Sequence, residues 1–332
     1  MKLEQIIDMG VFGSEFAGKK ASGFAAGHAH EHLVPTIDPH HEFDTQYRRP
    51  IMNWLYAPAG DGLGLVGPTG CGKTSYLTQI CARLNWPFMR VNCHSRMEMP
   101  DLVGMNGLDC DMATGDQRTV FKYGPLALAM KHGYVFCLDE ADVLSPDVTA
   151  GLNAVLEGAP LVIPESGGEV IHPHENFRFA SSANTRGQGD ETGLYNGTLP
   201  QNLASWDRLR VVEFDYMSSD RELKVIKGHL SGAPEDVLKE MVGIANQVRN
   251  QFIGSSSTGT KSLTVTFSTR ALIRWARIGV TYTKAGVEAA LAVALREALT
   301  NRCDPAQRLA IHKIAQDAFG QSWVNDPVIP TV

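Results

Sequence analysis

The sequence predicts an α/β protein whose parallel sheet is flanked by helices, followed by a smaller helical domain. Three observations predict this fold class. A glycine-rich loop, GPTGCGKT at residues 67–74, lies between a short apolar run and a stretch of helical periodicity. A second apolar run, YVFCLDE, ends in the carboxylates Asp139 and Glu140. Beyond residue 216, four successive stretches carry apolar residues at helical spacing.

The glycine-rich loop fits G-x-x-x-x-G-K-[ST], the phosphate-binding pattern. Its glycines permit backbone angles that are closed to other residues, so that backbone N–H groups can face an anion. Lys73 is predicted to reach the β- and γ-phosphates of a nucleotide, and the Thr74 hydroxyl to bind Mg²⁺. The predicted phosphate-binding residues are Gly67, Pro68, Thr69, Gly70, Cys71, Gly72, Lys73, Thr74 and Ser75. A glycine-rich turn that matches the pattern by chance is the alternative.

The run that ends in Asp139 and Glu140 predicts a buried parallel strand. In α/β sheets, ligands bind at the carboxyl ends of such strands. Asp139 is therefore predicted to hold Mg²⁺ together with Thr74, and Glu140 to polarise the water that attacks the γ-phosphate. The residues 139–142 also spell DEAD, but no other helicase signature accompanies them.

Two further features extend this site. The strand-like run FRFASSA ends at Asn184, whose amide could order the attacking water or simply form a turn. Arg208 and Arg210 precede another strand-like run, VVEFDY. They could be surface charges, or they could reach the γ-phosphate of a neighbouring subunit as an arginine finger does.

Composition limits the class of protein. Of the 332 residues, 43% are hydrophobic and 20% charged, as in soluble globular proteins. A net charge of −6 does not suggest a general nucleic-acid or anionic-membrane binder. The sequence has no apolar stretch of about 18 residues, so no membrane span is expected. Six cysteines without a C-x-x-C pair, and an N-terminus unlike a signal peptide, predict a cytoplasmic protein.

The domain boundaries are predicted where the sequence changes from an irregular segment to alternating strand and helix patterns, and then to helical periodicity alone. Residues 1–50 are predicted to form a partly irregular arm, 51–216 the nucleotide-binding domain, 217–320 a helical lid domain and 321–332 a tail. Within the arm, Leu3, Ile6 and Ile7 predict a short helix.

The arm also holds a cluster of histidines. A metal site is one interpretation and packing or solvated histidines are the other, since the spacing matches no standard zinc pattern. The residues concerned are His28, His30, His32, His40 and His41.

The order of these features resembles that of the AAA+ ATPases. The resemblance covers residues 33 to 285 and is closest to the MoxR group, in particular to the CobS-type ATPase subunit of cobaltochelatase. The stretches that carry it include VPTIDPHHEFD, ARLNWPFMRVN, DLVG, GQGDETGLYNGT and SWDRLRVV.

The resemblance implies specific roles. It implies an AAA+ fold, ATP and Mg²⁺ as cofactors, and Glu140 as the catalytic base. Asn184 would be the sensor-1 residue, and Arg208, with Arg210 as the alternative, the arginine finger. Arg270, in FSTRAL at the start of a lid helix, matches the sensor-2 position.

The resemblance also implies partners. Members of this group form hexameric rings with the active site between subunits, and their typical partners carry a von Willebrand A domain. An insert at residues 105–122 and a hairpin at residues 160–173, turning at Gly167 and Gly168, would touch such partners.

Four functions are the alternatives. A nucleotide-binding scaffold that does not hydrolyse ATP is one, and the complete set of Lys73, Asp139, Glu140, Asn184, Arg208 and Arg270 argues against it. Three others remain. The first is a motor that couples ATP hydrolysis to remodelling of a partner protein. The second is the ATPase subunit of an aerobic cobaltochelatase, which drives cobalt insertion. The third is a DNA-handling AAA+ protein, against which the net charge of −6 and the lack of a basic patch with interleaved aromatic residues count.

Cys71 is the one loop residue that phosphate binding does not require. Its thiol could be a redox-sensitive group beside the phosphates. A small residue that is simply tolerated at this position is the alternative.

Overall fold

The computed structural model describes residues 2–110, 117–189, 195, 197–230, 232–252 and 263–329. Contacts between residues divide the chain into two compact units. The first contains Met1–Asp38, Phe43–Gly67 and Lys73–Phe214, and the second contains Pro39–Glu42, Pro68–Gly72 and Asp215–Val332.

The strands and helices are numbered in chain order. The strands are β1 (Gln5–Asp8), β2 (Lys20–Gly23), β3 (Gly62–Val66), β4 (Phe88–Asn92), β5 (Gly104–Cys110), β6 (Gln117–Tyr123), β7 (Val135–Asp139), β8 (Leu161–Ile163), β9 (Glu169–Ile171), β10 (Arg178–Ala183) and β11 (Leu209–Glu213). The α-helices are α1 (Thr45–Tyr56), α2 (Lys73–Arg83), α3 (Met99–Val103), α4 (Pro125–His132), α5 (Pro146–Gly151), α6 (Asn153–Leu156), α7 (Leu203–Trp206), α8 (Ser219–His229), α9 (Glu235–Asn250), α10 (Thr269–Lys284), α11 (Ala290–Ala298) and α12 (Pro305–Phe319).

A five-stranded parallel sheet forms the centre of the first unit. Its strand order is β11-β3-β10-β7-β4. Every residue of β3, β7 and β10 is buried, as expected for central parallel strands covered on both faces. The sheet confirms the predicted α/β class, and its order brings the ends of β3, β10 and β7 side by side.

Helices cover this sheet with their apolar faces. Tyr76, Leu77 and Ile80 of α2 are buried at the helical spacing that the sequence showed. At the start of α5, the Ser145 side chain accepts a hydrogen bond from the backbone N–H of Val148 at 3.4 Å, which satisfies one of the first-turn N–H groups.

Two antiparallel hairpins accompany the sheet. One pairs β5 with β6 and the other pairs β8 with β9. In the second hairpin, Gly167 and Gly168 have φ of 68° and 80°, a left-handed conformation that glycine adopts without strain. The hairpin turning at these two glycines is the one that the sequence predicts.

The N-terminal segment differs from its prediction. Leu3, Ile6 and Ile7 do not form a helix, because β1 pairs in antiparallel register with β2. The partner strand satisfies the backbone groups that a helix would have paired internally. The first α-helix, α1, begins at Thr45, inside the segment predicted as an arm, and contains Pro50.

The second unit is helical. Helices α8 to α12 bury a core that includes Phe267, Trp275 and Leu295. A buried bidentate ion pair joins Arg249 to Glu222, with both N–O distances 2.7 Å. Among the described residues, no helix has the length and apolar character needed to cross a bilayer.

Candidate nucleotide-binding site

The phosphate loop, the carboxylates Asp139 and Glu140, and Asn184 meet at one edge of the parallel sheet. Ala183 of β10 lies opposite Val66 of β3, and Ser181 lies opposite Leu138 of β7. Because parallel strands end at the same edge, the loop after β3, the carboxylates at the end of β7 and the residue after β10 are neighbours.

The glycines of the loop have conformations that other residues rarely adopt. Gly67, Gly70 and Gly72 have φ of 154°, 71° and 100°. A Cβ at position 67 would also lie 2.2 Å from the backbone oxygen of Phe214. The loop therefore needs glycine for both its backbone angles and its close packing, and α2 begins directly after it at Lys73.

Lys73 and Asn184 are hydrogen-bonded although they lie far apart in the sequence. The Lys73 Nζ donates to the backbone oxygen of Gly67 at 2.7 Å and to the Asn184 Oδ1 at 3.1 Å. Lys73 is only 7% exposed, so its ammonium group is held at the edge of the sheet rather than in solvent.

A second group of hydrogen bonds surrounds Asp139. The Thr74 hydroxyl donates to the Asp139 Oδ1 at 2.7 Å, and the Ser182 hydroxyl donates to the same oxygen. A carboxylate with two hydroxyl groups offers the oxygen ligands that Mg²⁺ prefers. These residues therefore fit a magnesium ion.

Sequence reasoning missed two of the residues around Asp139. Ser182 is one, although a small hydroxyl residue near the carboxyl end of a strand was a signal available in FRFASSA. Arg90 is the other, and its guanidinium forms an ion pair with the Asp139 Oδ2. Only the order of strands brings Arg90 here, since β4 pairs with β7.

Glu140 differs from Asp139 in exposure. Its side chain is exposed and its φ is 58°, in the left-handed region. The backbone N–H of Glu140 donates to the Ser182 hydroxyl at 3.4 Å, while no described residue donates a hydrogen bond to its carboxylate. The Glu140 carboxylate is therefore available to accept a proton from water.

Asp142 holds the backbone that carries Asn184. Its Oδ2 accepts hydrogen bonds from the backbone N–H groups of Asn184 at 2.8 Å and Thr185 at 3.0 Å. Asp142 is 1% exposed. Sequence reasoning gave it no role, because its partners are visible only once β10 lies beside β7.

Arg208 and Arg210 lie at the opposite edge of the sheet. Leu209 pairs with Gly62 at the start of β3, whereas the phosphate loop follows the end of that strand. Arg208 forms an ion pair with Glu157. The structure thus does not bring either arginine to the phosphate loop of its own chain.

Arg210 is held by three different partners. Its guanidinium donates to the Asp61 carboxylate at 2.7 Å, to the backbone oxygen of Pro58 at 2.8 Å and to the side-chain oxygen of Asn53 at 3.1 Å.

Arg270 belongs to the second unit and is exposed, at the second position of α10. Ser268 caps this helix by accepting a hydrogen bond from the backbone N–H of Ala271 at 3.1 Å. Within the same unit, a Cβ at position 70 would lie 2.4 Å from the Cβ of Ser268. The start of α10 therefore packs against this part of the phosphate loop.

The structure also places Cys71 and one of the N-terminal histidines, His30. Cys71 is buried, with 4% of its surface exposed. His30 lies against His132 and receives or donates a 2.8 Å hydrogen bond with the Tyr134 hydroxyl. Burial, and then the neighbouring His132, lower the pKa of His30. Within the described part of the chain, no group of three or more His, Cys, Asp or Glu residues is arranged to hold a metal ion.

Comparisons with known proteins agree with this geometry. Residues 62–195 match the AAA domain of the dynein-related subfamily, and residues 222–318 match the CbbQ/NirQ/NorQ C-terminal domain. The aerobic cobaltochelatase subunit CobS of Sinorhizobium sp is 34% identical over 293 residues, which cover 86% of this chain and 83% of that protein.

Two further comparisons are weaker. An uncharacterized protein of Staphylococcus epidermidis is 31% identical over 185 residues, covering 56% of this chain and 67% of that protein. A solved structure from Cytophaga hutchinsonii aligns with 14% identity and a TM-score of 0.43, covering 86% of this chain and 91% of that one. Because the TM-score is below 0.5 and the identity below 25%, this structural alignment supports no conclusion about the present chain.

The first domain match includes the phosphate loop and the strand that ends in Asp139, the second lies on the C-terminal helices, and the identity to CobS covers 86% of the chain. The chain therefore belongs to the MoxR-type AAA+ ATPases and is close to CobS.

Proposed function

We propose that this chain binds ATP with Mg²⁺ between the subunits of a ring, hydrolyses it, and uses the energy to remodel a partner protein. The observation that carries the proposal is the set of hydrogen bonds at the carboxyl edge of the sheet, where Lys73 meets Asn184 and Thr74 meets Asp139. These are the groups that phosphoryl transfer needs for positioning and charge stabilisation.

Each side chain would have a separate task. The loop N–H groups and Lys73 would bind the phosphates, since both present positive charge to an anion. Thr74 and Asp139 would hold the Mg²⁺ ion, which supplies charge neutralisation at the phosphates. Asn184, already oriented by its bond with Lys73, would hold the attacking water, and Glu140 would accept its proton.

Substitution of Glu140 by Gln tests the assignment of the base. We expect Glu140→Gln to bind ATP as the wild type does, while its turnover falls by roughly 10²–10⁴-fold, the usual contribution of a positioned base. Equilibrium binding of a fluorescent ATP analogue and steady-state phosphate release measure the two quantities separately.

The control is Glu240→Gln, the same chemical change at an exposed position on α9. This variant should keep both binding and turnover. If Glu140→Gln retained normal turnover, Glu140 would not be the base.

A more specific function is favoured by one comparison. The 34% identity to a cobaltochelatase subunit supports a role as the ATPase subunit of such an enzyme. In that case the corrin substrate would bind to a separate large subunit, and the ring would act on it through a partner with a von Willebrand A domain.

An affinity purification from native cells distinguishes the two functions. The Glu140→Gln variant with ATP would serve as bait, because a site that binds but does not hydrolyse ATP holds its partner longest. Recovery of a large chelatase subunit would support cobalt insertion. Recovery of a von Willebrand A-domain protein without that subunit would support a different client, and recovery of neither would contradict the proposed kind of partner.

A further inference from the structure

Tyr216 connects the phosphate loop to the segment that leads into α10. Its hydroxyl donates a hydrogen bond to the backbone oxygen of Thr69 at 2.9 Å and lies 3.1 Å from the hydroxyl of Thr266. A phenol has one proton to donate, and here Thr69 accepts it, so the Thr266 hydroxyl is the donor in the second hydrogen bond. All three residues belong to the second unit, which includes Pro68–Gly72 of the loop.

A buried ion pair supports the Tyr216 ring. The guanidinium carbon of Arg249 lies 4.2 Å from the ring centroid, a cation–π contact. The same guanidinium forms the bidentate pair with Glu222, and it donates to the backbone oxygen of Phe267 at 2.7 Å. Glu222 in turn accepts a 2.6 Å hydrogen bond from the hydroxyl of Thr269, the first residue of α10. Because Arg249 and Glu222 are both buried, this support is fixed in place.

The phosphate loop is therefore held from the start of α10 at two points. One is the Tyr216 hydrogen bond to Thr69, and the other is the close packing of Ser268 on Gly70. The two points adjoin one peptide group, since Thr69 supplies its carbonyl and Gly70 its N–H. In a trans peptide these two groups point in opposite directions. Tyr216 therefore fixes the direction in which the Gly70 N–H points.

We propose that Tyr216 is a positioning residue for nucleotide binding, which holds the Thr69 carbonyl so that the Gly70 N–H is turned toward the phosphates. A phosphate loop binds through backbone N–H groups that converge on one anion. Gly70 has φ of 71° and, as a glycine, resists rotation of this peptide little, so a hydrogen bond from outside the loop selects its orientation. The inference rests on the proposed ATPase function, because it concerns the same nucleotide site.

Substitution of Tyr216 by Phe tests the proposal. It removes the hydroxyl and retains the ring that Arg249 contacts. In the Glu140→Gln background, we expect this variant to bind ATP and ADP roughly threefold to tenfold more weakly, the effect of losing one neutral hydrogen bond. Both nucleotides are affected because both carry the β-phosphate that such loops bind. Equilibrium titration with fluorescent analogues of ATP and ADP measures the affinities.

The kinetic constants separate positioning from a general loss of structure. In the chain that retains Glu140, Tyr216→Phe should raise KM for ATP by about the same factor. Its kcat should change by less than about twofold, since the hydroxyl contacts the loop and not the groups that activate water. A loss of folded protein alone would lower the apparent kcat and leave KM unchanged. Steady-state phosphate release measures both constants.

The control is Tyr282→Phe, the same chemical change near the other end of α10. The Tyr282 hydroxyl donates to the Glu297 carboxylate at 2.9 Å, roughly 20 Å along the helix from Thr269. This variant also loses a hydrogen bond within the second unit, so urea denaturation of both variants compares their stability. It should bind both nucleotides as its parent does.

A second variant, Thr266→Val, tests the link to α10. It removes the donor to Tyr216 and should weaken ATP binding in the same direction. The double variant with Tyr216→Phe should bind ATP no more weakly than Tyr216→Phe alone, because Thr266 acts through the tyrosine hydroxyl. Two losses that multiply would contradict this link.

The outcomes distinguish this inference from the proposed function. If the Glu140→Gln parent binds no ATP, the proposed function is wrong and the role of Tyr216 is wrong with it. If the parent binds ATP and Tyr216→Phe binds it equally well, only the role of Tyr216 is wrong. Equal weakening by Tyr282→Phe, or a fall in kcat at unchanged KM, would also overturn that role.

Discussion

At the scale of single residues, Asp139 is surrounded by donors that compete for one carboxylate. Thr74 and Ser182 donate to its Oδ1, and Arg90 forms an ion pair with its Oδ2. The Arg90 side chain is 48% exposed, so it can leave this position without disturbing the core. Because Asp139 is a proposed ligand of Mg²⁺, the guanidinium of Arg90 offsets part of the negative charge that would attract the cation.

Removal of this competing charge should strengthen magnesium binding. We expect Arg90→Gln, placed in the Glu140→Gln background with ATP bound, to bind Mg²⁺ roughly threefold to tenfold more tightly, a modest effect because the ion pair is partly exposed. Isothermal titration with Mg²⁺ measures it without turnover.

The control is Arg118→Gln, which removes an exposed arginine paired with Asp109 at 3.4 Å on the β5–β6 hairpin. It should leave the affinity for Mg²⁺ unchanged. Weaker binding by Arg90→Gln would mean that Arg90 assists the metal site instead of competing with it.

At the scale of elements, the two hairpins form a joint surface. Asn106 of β5 donates to the backbone oxygen of Glu165 at 3.4 Å, and the Tyr123 hydroxyl of β6 donates to the Glu169 carboxylate. Each hairpin also exposes large apolar side chains to solvent. These are Met105, Leu108, Val162 and Val170. Exposed apolar residues of this kind support the proposal that the hairpins contact a partner.

The base of the first hairpin depends on a glycine. Gly104 has φ of 125°, and a Cβ there would lie 2.3 Å from the backbone oxygen of Lys122. We expect Gly104→Ala to lower the free energy of unfolding by roughly 1–3 kcal/mol, because it adds backbone strain and a clash with main-chain atoms. Equilibrium denaturation with urea measures this quantity.

Gly107 provides a matched control in the same strand. A Cβ there would meet only the flexible Lys122 side chain, at 3.2 Å. Gly107→Ala should therefore change stability little. If both variants lost the same free energy of unfolding, any added side chain in this strand would destabilise the hairpin, and the conformation at Gly104 would not be the cause.

At the scale of the whole molecule, the two edges of the sheet have different chemistry. The carboxyl edge carries the phosphate loop and Asp139, and the amino edge carries Arg208 beside Glu157. One chain thus keeps its candidate arginine finger away from its own nucleotide site. This separation supports the proposal that the active site is completed by a neighbouring subunit.

Complementation between two inactive variants tests a shared site. Lys73→Ala should lose phosphate binding but retain Arg208, the candidate arginine finger. Arg208→Ala should bind ATP, but its turnover should fall by about 10³-fold or more. Mixed rings, purified through a different tag on each variant, should regain part of the wild-type turnover. Phosphate release by each variant alone provides the baseline. Mixed rings that stay as inactive as the single variants would contradict a finger supplied in trans.

The sequence predicted the parts of the site that depend on local order. The phosphate loop, the strand that ends in Asp139 and the strand before Asn184 each have a local pattern, and strands that end in this way share one edge of a parallel sheet. The sequence did not predict the partners Ser182, Arg90 and Asp142. The short helix predicted at the N-terminus was wrong, since residues with helical spacing can equally form a strand when a partner lies alongside.

The sequence by itself therefore determined the class of the fold, the phosphate loop and the order of the catalytic candidates, because adjacent residues encode each of these. Only the tertiary structure decided which side chains hold Asp139, which edge of the sheet carries Arg208, and that Asp142 holds the backbone N–H groups of Asn184 and Thr185. Such contacts join residues distant in sequence, and they depend on the strand order β11-β3-β10-β7-β4 and on the face to which each side chain points.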